Sequence, residues 1–149
     1  MFITKKSEVK HSGELIYIYN ENSFDFKPSK NTDITLMIGY ISLGIDSETM
    51  LALQIWGFSP STSWIEKKLE LPTYFTGELY LKEEIEAGVS KRLIESSTVK
   101  TKYDKESGWI CIGDESMLKN EIAVEFATNT IAVLSANTLK SLWVKPIFK

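Results

Sequence analysis

Hydrophobic residues in this chain recur with a period of two, and that feature confines it to a sheet structure. "ELIYIY" (14–19), "MLALQIWGF" (50–58), "EIAVEFA" (121–127), "TIAVLS" (130–135) and "LKSLWVKPIF" (139–148) are rich in β-branched and aromatic residues. They alternate, or run continuously apolar, over strand lengths. Between them stand turn-forming clusters: "NENS" (20–23), "PSKNTD" (28–33), "DSET" (46–49), "KESG" (105–108) and "SANT" (135–138). The long run "ITLMIGYISLGI" (34–45) reads as the partner of 50–58 in a central antiparallel pair. "GELYLKEEI" (77–85) alternates again, and "SKRLIES" and "TVKTKYD" (90–104) look half exposed.

Helical periodicity is thin. "WIEKKLELP" (64–72) has some 3.6 spacing but can equally be a strand. "LKEEIEAGVSKRL" (81–93) places Leu81, Ile85 and Val89 on one face, although Gly88 and Val89 weaken a helix there. The expected fold class is mainly β: an antiparallel β-sandwich, a bent sheet or a flattened barrel of about ten strands, with at most one or two short helices. With 149 residues and no linker or repeat, residues 1–149 are expected to form a single β-rich domain.

Charge limits the partners. The 20 acidic and 17 basic residues leave a net charge of −3, which argues against direct binding of nucleic acid. Lys91, Arg92, Lys100, Lys102 and Lys105 gather in the polar strands, where lysine commonly protects exposed edges from pairing. The longest apolar run falls far short of a membrane span. "MFITKKSEVKHSGE" has no apolar stretch after its lysines, so no signal peptide is expected there. With one cysteine and no Asn-X-Ser/Thr sequon, a cytoplasmic protein without membrane association is expected.

Chemistry-bearing residues are sparse. Cys111 lies within "WICI" and reads as a small buried hydrophobe. His11 lies beside Lys10 and reads as a solvated histidine on an edge or tail. No triad, thiolate cluster, calcium loop or phosphate cradle can be assembled from the sequence, so neither a catalytic residue, nor a metal, nor a cofactor is expected. Carboxylates cluster in turns, Asp104 with Glu106 and Asp114 with Glu115. Trp56, Trp109 and Trp143 sit inside apolar runs and are expected to be core plugs. Trp64 follows the polar segment "GFSPSTS" and is the best tryptophan for a contact surface, although packing over a sandwich edge is the role expected of it first.

In general character the chain resembles the small immunity proteins of bacterial polymorphic and contact-dependent growth-inhibition toxin systems. The stretches behind the comparison are "QIWGFSPSTSWIEKKLELP" and "VEFATNTIAVLSANTLKSLWVKPIF". The resemblance implies a non-catalytic monomer or homodimer that holds a cognate protein toxin one-to-one and covers its active site. If that toxin is a basic nuclease domain, the acidic turns would steer association. A toxin hairpin could also add to a free strand edge. On this view Trp64, Asp104, Glu106, Asp114 and Glu115 are the contact residues. A carbohydrate- or small-ligand-binding β-sandwich, using Trp64, Tyr74 and Tyr80, is the alternative. A β-barrel enzyme ranks below both.

Overall fold

The computed structural model describes residues 1–7 and 11–149. Among these are fifteen strands: β1 (Phe2–Lys6), β2 (Glu14–Ile18), β3 (Ser23–Lys27), β4 (Ile34–Ile38), β5 (Ile41–Ile45), β6 (Ala52–Phe58), β7 (Ile65–Glu66), β8 (Phe75–Leu81), β9 (Ser90–Ile94), β10 (Thr101–Tyr103), β11 (Ile110–Gly113), β12 (Ile122–Ala127), β13 (Thr130–Ser135), β14 (Thr138–Val144) and β15 (Ile147–Phe148). The helices there are two single 3₁₀ turns, Tyr19–Glu21 and Ser61–Ser63. The mainly β expectation holds, with more strands than the ten expected.

The extra strands have physical causes. The run 34–45 folds on itself at Gly39 and Tyr40 into the β4–β5 hairpin, with Ile38 paired to Ile41. Gly39 takes φ +58° there, a left-handed conformation that glycine adopts without strain. At the C-terminus Pro146 separates β14 from β15. The N-terminal segment, unassigned from sequence, pairs as β1 along β8 from Phe2↔Leu81 to Lys6↔Gly77. The helix-like stretch 81–93 becomes the end of β8, a loop and β9.

The strands form two mixed sheets, and neither closes into a barrel. One has the order β1-β8-β12-β13-β14-β11-β10-β7, the other β15-β2-β3-β6-β5-β4-β9. Most neighbours are antiparallel, but β7·β10, β8·β12, β2·β15 and β4·β9 are parallel. The inward residues follow the period of two: Ile34, Leu36 and Ile38 on β4 are buried, while Thr35 and Met37 between them are half exposed. These residues meet Leu79, Leu81, Val124, Phe126 and Leu142 of the other sheet in one common core.

Tyr17 stands in that core with its hydroxyl satisfied. It donates to the Ser59 carbonyl at 2.6 Å and accepts from the Ser61 N–H at 3.0 Å. These bonds hold the 59–63 turn against β2. Tyr17→Phe leaves the Ser59 carbonyl without this donor and is expected to cost about 1–2 kcal/mol. Denaturant titration of the two proteins checks it; equal midpoints would show that the turn is held by other contacts.

A second, smaller core lies on the outer face of the eight-stranded sheet. Cys111, Trp143 and Ile131 form one cross-strand row there, with Ala123 and Val133 beside it. Residues 67–74, between β7 and β8, cover it. β7 and β8 are six strand positions apart, a span of about 29 Å at 4.8 Å per strand. The nine peptide steps from Glu66 to Phe75 reach about 30–32 Å when fully extended. The segment therefore crosses the sheet as a strap of non-helical chain: nine steps of helix would reach only about 14 Å, so "WIEKKLELP" forms no helix. Leu69 and Pro72 are buried, while Lys67, Lys68, Glu70 and Leu71 are exposed.

Candidate functional site

All five contact residues expected from sequence lie at the β11-β10-β7 end of the eight-stranded sheet. Trp64 immediately precedes the edge strand β7. Asp104 and Glu106 form the β10–β11 turn, and Asp114 and Glu115 follow β11. The structure brings them to one region but gives them different tasks.

Asp104 is buried beneath the strap. One carboxylate oxygen accepts the strap's Leu69 N–H at 3.0 Å. The other accepts the N–H groups of Glu106 at 3.0 Å and Ser107 at 3.2 Å. These backbone donors, Leu69 first, hold its pKa below the ordinary value. Asp104 is thus the clamp that ties the strap to a turn. Glu115 holds the same strap from the other side, with the Lys67 ammonium 3.0 Å and the Lys102 ammonium 3.8 Å from its carboxylate.

Glu106 and Asp114 remain exposed. The Asp114 carboxylate accepts the Ser116 N–H at 2.9 Å, and this bond is the main cause of its lowered pKa. Lys140 stands 3.9 Å away.

Trp64 takes the packing role expected of it first, while Trp56 stays out of the core. Trp64 is half-buried and packs on the main core. Its ring lies 4.7 Å from Tyr17, 5.4 Å from Tyr103 and 6.4 Å from Phe148, centroid to centroid. Its indole N–H donates to the Ser59 hydroxyl at 2.9 Å. Trp56, expected as a core plug, lies half-buried on the outer face of the seven-stranded sheet, because β6 points Ile55 inward and Trp56 outward. Trp109, also expected in the core, is half-buried and packs on the second core. Trp143 is buried as expected. Tyr80 does not join Trp64 in an aromatic face: it sits opposite Ile3 of β1 and donates to Glu78.

Two further expectations are settled by burial. Cys111 is fully buried, and burial pushes its thiol up to about 12, so it stays a neutral hydrophobe. His11 is not on a solvated tail. It bridges to Ala127, its ring lies 5.0 Å from Phe26, and its Nε2 is buried without a hydrogen-bond partner. Burial, with Lys30 nearby, lowers its pKa. Among the described residues no group of three His, Cys, Asp or Glu side chains is placed to hold a metal. No helix among them is long and apolar enough to cross a membrane.

The feature missed from sequence is a cleft at the mouth of the two sheets. It encloses about 380 Å³ and is rimmed by Tyr40, Phe58 and Ile65. These three are 56%, 50% and 46% exposed, high values for large apolar side chains grouped together. The Tyr40 and Phe58 rings meet edge-on at 6.4 Å, and the Arg92 guanidinium stands 5.7 Å from the Tyr40 ring. Ile112 lines the floor, two positions before Asp114. Gly39, inside an apolar run too long for one ordinary strand, was the signal that a turn would present Tyr40 to solvent.

No known family model matches the chain, and no curated protein matches it in sequence.

Proposed function

We propose that this chain is a non-catalytic protein-binding module of the immunity-protein type, holding a cognate toxin one-to-one and covering its active site. The observation that supports this reading is the gathering of Tyr40, Phe58 and Ile65 around one cleft, with Arg92 over Tyr40. Tyrosine, other aromatics and arginine are the side chains most enriched at the centres of protein interfaces. Beside the cleft, the two-residue strand β7 ends its sheet, which gives an incoming hairpin an edge to pair with. Glu106 and Asp114 supply outward negative charge for steering a basic partner; Asp104 and Glu115 are committed to the strap.

The test is a native pull-down with tagged protein from its own cells, repeated with Tyr40→Ala/Phe58→Ala. One stoichiometric partner is expected, with the double variant weakening it by at least about 2 kcal/mol, or roughly thirtyfold. A partner held equally well by the double variant would move the interface elsewhere. Recovery of no protein partner would end the inhibitor reading.

A further inference from the structure

The outer face of the seven-stranded sheet carries a trough of about 810 Å³ at the end of β4–β6 remote from the cleft, and no residue lines both. Trp56 forms part of its floor. The indole has room there because Gly44, on the neighbouring strand, has no side chain: a Cβ at Gly44 would stand 2.7 Å from the ring's Cζ3 and 2.6 Å from the Thr32 hydroxyl. The wall formed by residues 29–33 is fixed in place by Gln54. That side chain is buried, with its amide donating to the Lys30 carbonyl and accepting from the Lys30 N–H, both at 2.8 Å. The trough is therefore a built surface with a held loop, an aromatic floor and a glycine that makes space for the ring.

The lining sorts ligands by chemistry. Acceptors are present in Asp25, Asp33, Asp46 and Glu48; Lys30 is a donor; the Asn31 amide and the hydroxyls of Thr32 and Thr35 serve as both. A simple cation engages only the acceptors and leaves the Lys30 ammonium unmatched. A purely apolar ligand strands all of these groups. A pyranose matches the set, since its hydroxyls both donate and accept while its C–H face is apolar enough to lie on an indole. The lining is mostly polar with Trp56 as its aromatic surface, which suits a hydroxyl-rich ligand better than an apolar one.

We infer that this trough is a saccharide-binding site, with Trp56 as the stacking platform and Asp25, Glu48 and Asn31 as hydrogen-bonding partners for ring hydroxyls. The site is independent of the protein-binding cleft.

The experiment is a tryptophan-fluorescence and calorimetric titration of the full chain. The probes are neutral tetrasaccharides of glucose and of N-acetylglucosamine, with L-argininamide as the cationic comparison. At least one tetrasaccharide is expected to bind with a dissociation constant at or below the millimolar range. Trp56→Ala should weaken it by about tenfold or more, and Trp56→Tyr should restore part of the loss. Circular dichroism of both variants checks that the sheets are intact. The site is overturned if no tetrasaccharide binds, if Trp56→Ala binds as well as the parent, or if argininamide alone binds in a Trp56-dependent way. Tyr40→Ala/Phe58→Ala should leave saccharide binding unchanged, so the two sites fail or succeed separately.

Discussion

Asp104→Asn is expected to release the strap. The carboxylate accepts from three backbone N–H groups, Leu69 on one oxygen and Glu106 and Ser107 on the other. An asparagine has one acceptor oxygen. Whichever way its amide is turned, an NH₂ group faces an N–H, and either the strap or the turn loses its partner while remaining buried. Leu69 then leaves the second core and Trp143 gains contact with water. Amide exchange at Leu69 should accelerate sharply, and the emission of the protein should shift to the red. A variant with parental exchange at Leu69 would show that apolar contacts alone hold the strap.

The same clamp sets part of the acid limb of stability. The folded pKa of Asp104 lies below its ordinary value of 3.8. Its contribution is complete above the unfolded value and is lost as pH falls through the lower folded value. Asp114 shifts in the same direction and adds to the same limb. Acid unfolding of the parent should therefore steepen below about pH 4, and Asp104→Asn should flatten that slope.

What could be read from sequence was what local pattern determines. The strands 121–127, 130–135 and 138–144 alternate cleanly and are joined by short turns. The second turn has Ala136 and Asn137 both at positive φ; the first two strands and both turns were legible, whereas the third, expected over 139–148, stops at Val144 and gives way after Pro146 to β15 in the other sheet. What could not be read depends on contacts across the sheets. Whether Trp56 enters the core turns on which alternate residues of β6 face inward, and a flip of one residue reverses the answer. Trp64 follows a polar turn, and its burial comes from Tyr17, Tyr103 and Phe148 converging from distant parts of the chain. The role of Asp104 was equally hidden, because its key donor, Leu69, lies 35 residues away. Its turn composition suggested solvated charge, whereas its partner is the backbone of a strap that exists only once both sheets are formed.

Trp64→Ala separates these two views of the residue most directly. As a plug, Trp64 fills the space between β2, β3, β10 and β15, touching Tyr17, Phe24, Tyr103 and Phe148. Removing the ring leaves a cavity that four aromatic side chains held by two different sheets cannot collapse to fill. It also takes a hydrogen bond from the Ser59 hydroxyl. The expected loss is about 3–5 kcal/mol, a large part of the roughly 5–15 kcal/mol that keeps a domain folded. Trp64→Phe, which keeps most of the apolar volume and loses the N–H, should cost less than half as much. A residue serving only as an exposed contact would instead change stability by no more than about 0.5 kcal/mol. Thermal and urea unfolding of the three proteins decides between plug and contact. Because Ile65 follows Trp64 directly and rims the cleft, Trp64→Ala should also weaken partner binding, and that loss should track the loss of folded protein. With Tyr40→Ala/Phe58→Ala, by contrast, binding should fall while the unfolding midpoint stays near that of the parent, since both rings are half exposed or more. A Trp64→Ala protein that unfolds like the parent would return Trp64 to the surface and make the cleft, with its aromatic rim, a single continuous contact face.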